Sequence, residues 1–532
     1  MSLFTATLHP GVGLGFLILG ASLHDILTRL KAEPQRFPKL DLVYEPSQPV
    51  LEPVILNLPA NGIRLRFDGP EQRLRLVEVL DFTKSRISYQ DKDLVKPATS
   101  SSSGVASPLP GGGDSSAGAG PAFKNVYHRL FGPTYAGEYI PPAADDQSGV
   151  GTYILSYPGV AFSFPLLQSA YSPDKDVVNL LSSSASQTAT SVAIFSGKSW
   201  AHARDTLWTE VLPSIKSTFL FNKSKEVVPD EVSCVHIHGG GKLQLFRKWT
   251  SVAMWITLGE TTPQDLVAEL GPPDAIYRKN DQRMYIHQTR TASHSRSRSG
   301  GDYKRPDDLL DTDQSSGVTG SDDSGDEAVD DDFSGNVSGE CFYNYFYLGF
   351  DVLISLPTTP SRTPPSVQQA AANGFQVFPE KEIKPVTTDR LVATKVILHG
   401  NVPGSYPFNR HRRCRWEIPY LTLSPGLDAG AIANSETQFS DIEGQLREEW
   451  KSTYPSEADA RQRQRGMVLN RGWGDSPGSS CEFLGGWEDS SGGVAARKFD
   501  GGNEDSTTTL YGFPGLVFEV LRNGFVSAVT VY

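Results

Sequence analysis

The chain runs to 532 residues, more than a single hydrophobic core accommodates, so two or more packed bodies are expected. Only 38% of it is apolar, while 50 glycines and 37 prolines mark long stretches that cannot bury enough surface to order themselves. Lysine and arginine total 49 against 61 aspartates and glutamates, a formal net charge of -12 that argues against a general nucleic-acid footprint.

The first ordered unit is expected over residues 8–95. No cationic segment precedes the apolar stretch from Val12 to Leu19, and His24 and Asp25 soon follow, so it reads as a strand entering a helix. Ser22 suits the N-cap, Asp25 the first turn, and Ile26, Leu27 and Leu30 the buried stripe. Three strands should follow: VILNL at 54, then the alternation Ile63, Leu65, Phe67 after Gly62, then LRLVEVL at 74. Residues 96–120, rich in Ser, Gly and Pro, read as a disordered linker.

The same order recurs. In the unit at 121–200 a helix should stop at Gly132-Pro133, followed by TYILSY at 152, Val160, Phe162 and Phe164 after Gly159, and SVAIFSG at 191. Residues 201–256 read as a helix and a β-hairpin connection, the hairpin carried by SCVHIHGGGKLQLF. In the unit at 257–420, Thr262, Asp265, Leu266, Val267 and Leu270 match Ser22, Asp25, Ile26, Leu27 and Leu30 residue for residue. Pro263 stands where its missing N–H is harmless, and Gly271-Pro272-Pro273 ends that helix. YNYFYL at 343, Phe350, Val352 and Ile354 after Gly349, and VATKVILHG at 392 complete it, with the aromatic residues from Tyr343 to Phe350 expected in a core strand. Inserts 289–340 and 357–386 interrupt it, the first divided into the basic SHSRSRSG and the acidic SDDSGDEAVDDD. The last unit, 436–532, should open on a helix with Ser440 and Glu443 as a capping box and Ile442, Leu446 and Trp450 as its stripe. TTTLYGF at 507, then Leu516, Phe518 and Val520 after Gly515, then FVSAVTVY at 525 follow, interrupted by a disordered insert at 453–506.

The expected fold is therefore α+β, with repeated units of one helix plus a three-stranded antiparallel meander packed together, pseudo-duplicated pairs being one arrangement. No run approaches the ~20 apolar residues of a membrane span, so any membrane contact is expected to be peripheral.

Chemical motifs are sparse. Cys234, Cys341, Cys414 and Cys481 lie far apart without a CxxC spacing, which suggests neither a zinc knuckle nor a dense disulfide framework and makes a reducing cytosol the simplest home. GxSxG, HExxH, P-loop and GxGxxG patterns are absent, and Gly11, Gly13 and Gly15 have the wrong spacing for a dinucleotide turn, so no enzyme and no cofactor are expected. On a strand His236 and His238 would share a face and could grip a divalent metal. With no third ligand at a telling spacing, a hairpin carrying two exposed imidazoles is favoured and no metal is expected. Arg410, Arg412, Arg413 and Arg415, followed by Trp416, form the densest positive field in an ordered region. Their guanidinium forks would suit an anionic lipid headgroup, with structural pairing to acidic neighbours or an acidic partner as the competing use.

The stretches LILGASLHDILTRL, VILNLPANGIRLRFDGPEQRLRLVEVLDFTKSRISY, YPGVAFSFPL, LGPPDAIYRKNDQRMYIH, YNYFYLGFDVLIS and ILHGNVPGSYPFNRHRRCRWEI occur in that order along most of the ordered chain. In these the chain resembles the phagosome assembly factor family. The resemblance implies a cytoplasmic, non-enzymatic scaffold that pairs with a large WD40 β-propeller protein and is recruited to the phagophore assembly site during autophagy. A peripheral phosphoinositide-binding module in vesicle-mediated transport, associated with Golgi or vesicles, is the alternative. The family supplies no catalytic residues to carry over, and the long inserts depart from its shorter relatives.

Overall fold

The computed structural model describes residues 3–95, 120–143, 148–181, 188–212, 230–250, 252–278, 340–357, 390–422, 432–470 and 507–532. Alternation decides the strands. In Ile63–Phe67 the residues Ile63, Leu65 and Phe67 are buried while the arginines between them are half-buried, because a pleated strand sends successive side chains to opposite faces. Phe350–Ser355 and Leu516–Leu521 likewise bury Phe350, Val352 and Ile354, and Leu516, Phe518 and Val520.

The glycine ahead of each such strand makes its turn. Gly62, Gly159, Gly349 and Gly515 have φ of 67, 77, 90 and 77°, a region that penalises any residue with a Cβ. Pro158-Gly159 closes Tyr157 against Val160, and Pro514-Gly515 closes Phe513 against Leu516, with proline fixing the first corner and glycine supplying the second. Gly62 and Gly349 instead end longer turns that close Leu58 against Ile63 and Tyr345 against Phe350.

Gly159 carries a second constraint, since a Cβ there would lie 2.0 Å from the Gly11 nitrogen. Its carbonyl accepts the Gly11 N–H at 3.0 Å, tying this hairpin to the loop at 10–12. Gly515 has the same φ of 77°, but its Cβ would meet only the Tyr532 carbonyl, at 3.5 Å. Gly159→Ala should therefore lower the urea midpoint by the equivalent of at least about 2 kcal/mol, and by clearly more than Gly515→Ala, which has only the φ penalty to bear. Equal losses would refute the collision argument.

The assembly of these strands overturns the expected α+β architecture. The meanders are not separate helix-topped units; they join edge to edge into two continuous eight-stranded sheets, and strands dominate over helices throughout the described residues. The first sheet runs in spatial order Glu138–Ile140, Val150–Tyr157, Val160–Leu167, Ser191–Phe195, Leu74–Val79, Ile63–Phe67, Val54–Leu58 and Asp41–Val43. The second runs Ala275–Arg278, Cys341–Tyr345, Phe350–Ser355, Val392–His399, Val526–Val531, Leu516–Leu521, Thr507–Phe513 and Met467–Asn470. Each meander thus has four strands, not three. Their last strands pair at the middle of each sheet, Val192 with Val79 and Val396 with Val531, because both are apolar on the same face and neither can be left as an edge.

A five-stranded sheet accompanies each large one. Leu17–Ile18, Gly13–Leu14, Phe4–His9, Ser85–Tyr89 and Lys92–Asp93 form the first; Ala253–Thr257, Lys242–Arg247, Val232–His238, Trp416–Thr422 and Ile432–Asn434 form the second. In both, the central pair is parallel and joins two antiparallel ribbons, so the two halves of the chain repeat one topology. Residues expected to be a connection between units, from Val232 onward, are instead the counterpart of the chain's first strands.

The helices are few and short. Ser22 caps Leu23–Ala32 by accepting the Asp25 N–H at 3.1 Å, and Thr262 with Asp265 forms a capping box for Pro263–Leu270. The first buries Leu23, Ile26, Leu27 and Leu30 in the core of its half. The second expected helix shrinks to Phe123–Asn125 running into a π-turn at Val126–Leu130. The last, Phe439–Glu449, starts after Gln438 with no side-chain cap, so Ser440 and Glu443 make no capping box, although Ile442 and Leu446 are buried as expected. Of the expected inserts, 96–120, 289–340 and 357–386 fall almost wholly outside the described residues, as does 453–506 from 471 onward. Its beginning carries the helix Glu457–Arg463 and the edge strand Met467–Asn470.

Candidate functional site

Residues 400–415 lead from the second large sheet to the second small one and cross the junction between the halves. Here the arginine run is folded inward. Arg412 is 8% exposed and pairs with Asp25 at the start of the first helix and, at 2.9 Å, with Glu231. Glu231 pairs in turn with Arg73 of the first half at 2.6 Å. Burial works to raise the Asp25 carboxyl, but Arg412, with His24 and Ser22, holds it below the usual carboxylate range.

Arg413 is 6% exposed and donates to the carbonyls of Pro70 (2.7 Å), Gly400 (2.6 Å) and Ser435 (3.3 Å) and to Glu436 (3.1 Å). Arg415 takes both oxygens of Glu436, at 3.0 and 3.1 Å. Arg410 lies over the Tyr406 ring at 5.2 Å, and Trp416, 1% exposed, packs on Phe518 in the core. The basic run is thus an internal clasp paired with acidic neighbours, the use that competed with a lipid headgroup, and Arg412, Arg413 and Trp416 are withdrawn from solvent. The acidic partners, Asp25, Glu231 and Glu436, are remote from the run in sequence and come to it only through the fold.

Backbone and amide bonds extend the clasp. Gln72 and Asn401, with φ of 52 and 45°, face each other across the junction. Gln72 donates to the Asn401 carbonyl and Asn401 to the Gln72 side-chain oxygen, each at 2.8 Å. Val50, Val402 and Phe525 form a small apolar cluster shared by both halves.

Beside the clasp, Asp351 bridges two histidines. His399 donates to one carboxylate oxygen at 2.8 Å and His411 to the other at 2.9 Å, while Asn344 donates at 2.9 Å. The imidazoles stack 3.8 Å apart. Burial and the neighbouring His399 pull His411 down to about 4, against the pull of Asp351. The Asp351 carboxyl, which burial would raise, is held far below its ordinary value by the two histidines.

A second donor cluster lies on the small sheet of the same half. Cys234, His236 and His238 share one face of Val232–His238, and the parallel strand brings Glu417 opposite His236. His236 Nε2 lies 3.1 Å from the Glu417 carboxylate, and the donor atoms of Cys234, His236 and Glu417 are all within 4.8 Å of one another. Glu417 lies 181 residues beyond His236 in the chain, where no local pattern could signal it, and His238, which the spacing paired with His236, is not in the cluster.

The sequence model of the phagosome assembly factor 1 family matches residues 13–303 and 386–532. This chain belongs to that family. A PHAF1 protein of Arabidopsis thaliana is 23% identical over 541 residues, covering 99% of this chain and 92% of its own length. One of Drosophila melanogaster is 20% identical over 541 residues, covering 98% and 93%. One of Caenorhabditis elegans is 26% identical over 160 residues, covering 29% and 31%. No solved structure matches the chain.

The family is named for phagosome assembly, which makes the exposed surfaces of this member of interest. No described helix is long and apolar enough to cross a membrane. Both large sheets end in short edge strands. On Met467–Asn470, the last strand of the second sheet, Met467 is 60% and Val468 69% exposed. On the opposite edge of that sheet, Ile276 is 56% exposed.

Proposed function

We propose that the protein is a non-enzymatic scaffold of autophagosome assembly that pairs with a WD40 β-propeller protein and is recruited with it to the phagophore assembly site. The family match supports assembly, and the observation that carries the binding mode is the apolar edge at Met467 and Val468. An edge strand presents unpaired N–H and C=O groups, to which a strand of a partner adds with side chains alternating into contact. The arginine run contributes here by holding the two halves, and so the sheet edges, in fixed relation. Its carboxylate pairs leave Arg412 and Arg413 little capacity for a phosphoinositide headgroup.

Met467→Lys combined with Val468→Lys should cut recovery of the propeller protein in a pull-down by at least about tenfold, because edge lysines oppose strand addition. Thermal stability should stay within about 0.5 kcal/mol of the parent, since both side chains are exposed. Undiminished recovery would remove this edge from the interface. Failure of the parent chain to recover any propeller, with the purified protein binding anionic vesicles in a salt-sensitive way, would favour the lipid module.

A further inference from the structure

We propose that Cys234, His236 and Glu417 form a binding site for a zinc-class divalent ion. The three donors converge from two strands, with every pair of ligand atoms within 4.8 Å. At metal bonds of about 2.3 Å to sulfur and 2.0 to 2.2 Å to nitrogen and oxygen, ligand atoms stand roughly 3.5 Å apart, which side-chain rotation reaches from here. The donor set itself selects the ion. A thiolate with an imidazole suits zinc and disfavours magnesium and calcium, which take oxygen cages.

Charge also fits. A thiolate and a carboxylate neutralise a divalent cation, so its partial burial leaves no net charge to desolvate. Access is open as well, because the His236 and Glu417 side chains are 27% and 32% exposed. A His–Glu ion pair alone would explain the 3.1 Å contact but gives no role to the thiol two residues earlier on the same face. His238 stands aside, against Gln244 and Trp255, so the fourth corner is left to water.

Such an ion would stitch a weak seam. The parallel ladder between these strands has only two registered pairs, Val235 with Trp416 and His236 with Glu417, and the ion bridges the second.

The test uses the full chain, stripped with a chelator and then titrated with Co(II) and with Zn(II). Co(II) should give a near-ultraviolet thiolate charge-transfer band and a tetrahedral visible spectrum, and Zn(II) should remain at about one equivalent after gel filtration. Cys234→Ser should abolish the thiolate band, and Glu417→Gln should weaken Zn(II) affinity by at least about 10- to 100-fold, the cost seen even for outer-shell partners. His399→Gln, in the other histidine–carboxylate cluster, should leave the stoichiometry unchanged. Circular dichroism of each variant separates ligand loss from unfolding. Failure of the folded parent to retain zinc, retention of the thiolate band in Cys234→Ser, or loss of the ion in His399→Gln alone would each overturn the site.

Discussion

Arg412→Ala should destabilise the protein by about 3–5 kcal/mol, the cost of removing one partner from a buried ion pair. Arg412 is the shared cation of Asp25 from the first half and Glu231 at the start of the second. Without it Glu231, 4% exposed, keeps Arg73 but loses its second guanidinium, and Asp25 loses the charge that holds its carboxyl ionised against burial. Arg412→Lys should recover part of the loss, because one ammonium replaces the charge but cannot span two carboxylates as a planar fork does. Urea unfolding of the full chain, followed by tryptophan fluorescence and circular dichroism together, measures the change; a shift within about 0.5 kcal/mol would refute the clasp. The same argument governs charge reversal. Arg412→Glu would place three carboxylates at one buried point, so any loss of lipid or partner binding in that variant would follow from loss of structure.

Acid should weaken the fold before the carboxylates as a class are protonated. His411 has its pKa lowered from 6.5 to about 4, so the folded chain keeps it neutral while the unfolded chain takes up a proton. Stability therefore falls as pH drops from about 6.5 to about 4, and at that rate the full contribution is about 3 kcal/mol. Below that window Asp351 adds to the loss, since its folded pKa is depressed and the stability it confers disappears only as acid protonates it. His399 at 3.8 Å ring distance and His24 push the His411 pKa down, while the Asp351 carboxylate at 2.9 Å opposes them. His411→Gln should flatten the slope of stability between pH 6.5 and 4 relative to the parent, whatever its own stability at neutral pH. An unchanged slope would locate the acid sensitivity elsewhere.

The clasp and the histidine pair adjoin, and this bears on assembly. Phe346 packs on His411 at 4.9 Å, and the Arg412 N–H donates to the Phe346 carbonyl, so the turn ahead of Gly349 is braced by the same loop that joins the halves. Loosening the junction should therefore also loosen the second large sheet, and with it the edge at Met467 and Val468.

By itself the sequence determined what is local. Period-two alternation after Gly62, Gly159, Gly349 and Gly515 marks strands because a pleated chain has no other way to bury one face, and positive φ at those glycines makes the turns. Ser22 and Thr262 cap helices because their side chains accept from N–H groups three residues on, and Asp265 accepts in return from the Thr262 N–H. Tertiary structure decided how these pieces combine. Whether a meander ends as an edge or continues into another depends on which strand meets it, as Leu74–Val79 meets Ser191–Phe195, and no pattern within either strand records that partner. Charge at Arg412 and Arg413 was legible as a cluster, but a guanidinium has the same sequence signature on a lipid surface as in a buried fork. Asp25, Glu231 and Glu436 made it the latter by arriving from distant segments. Glu417 completes the Cys234 and His236 set for the same reason: donors converge through strand register, a property of the sheet and not of the spacing along the chain.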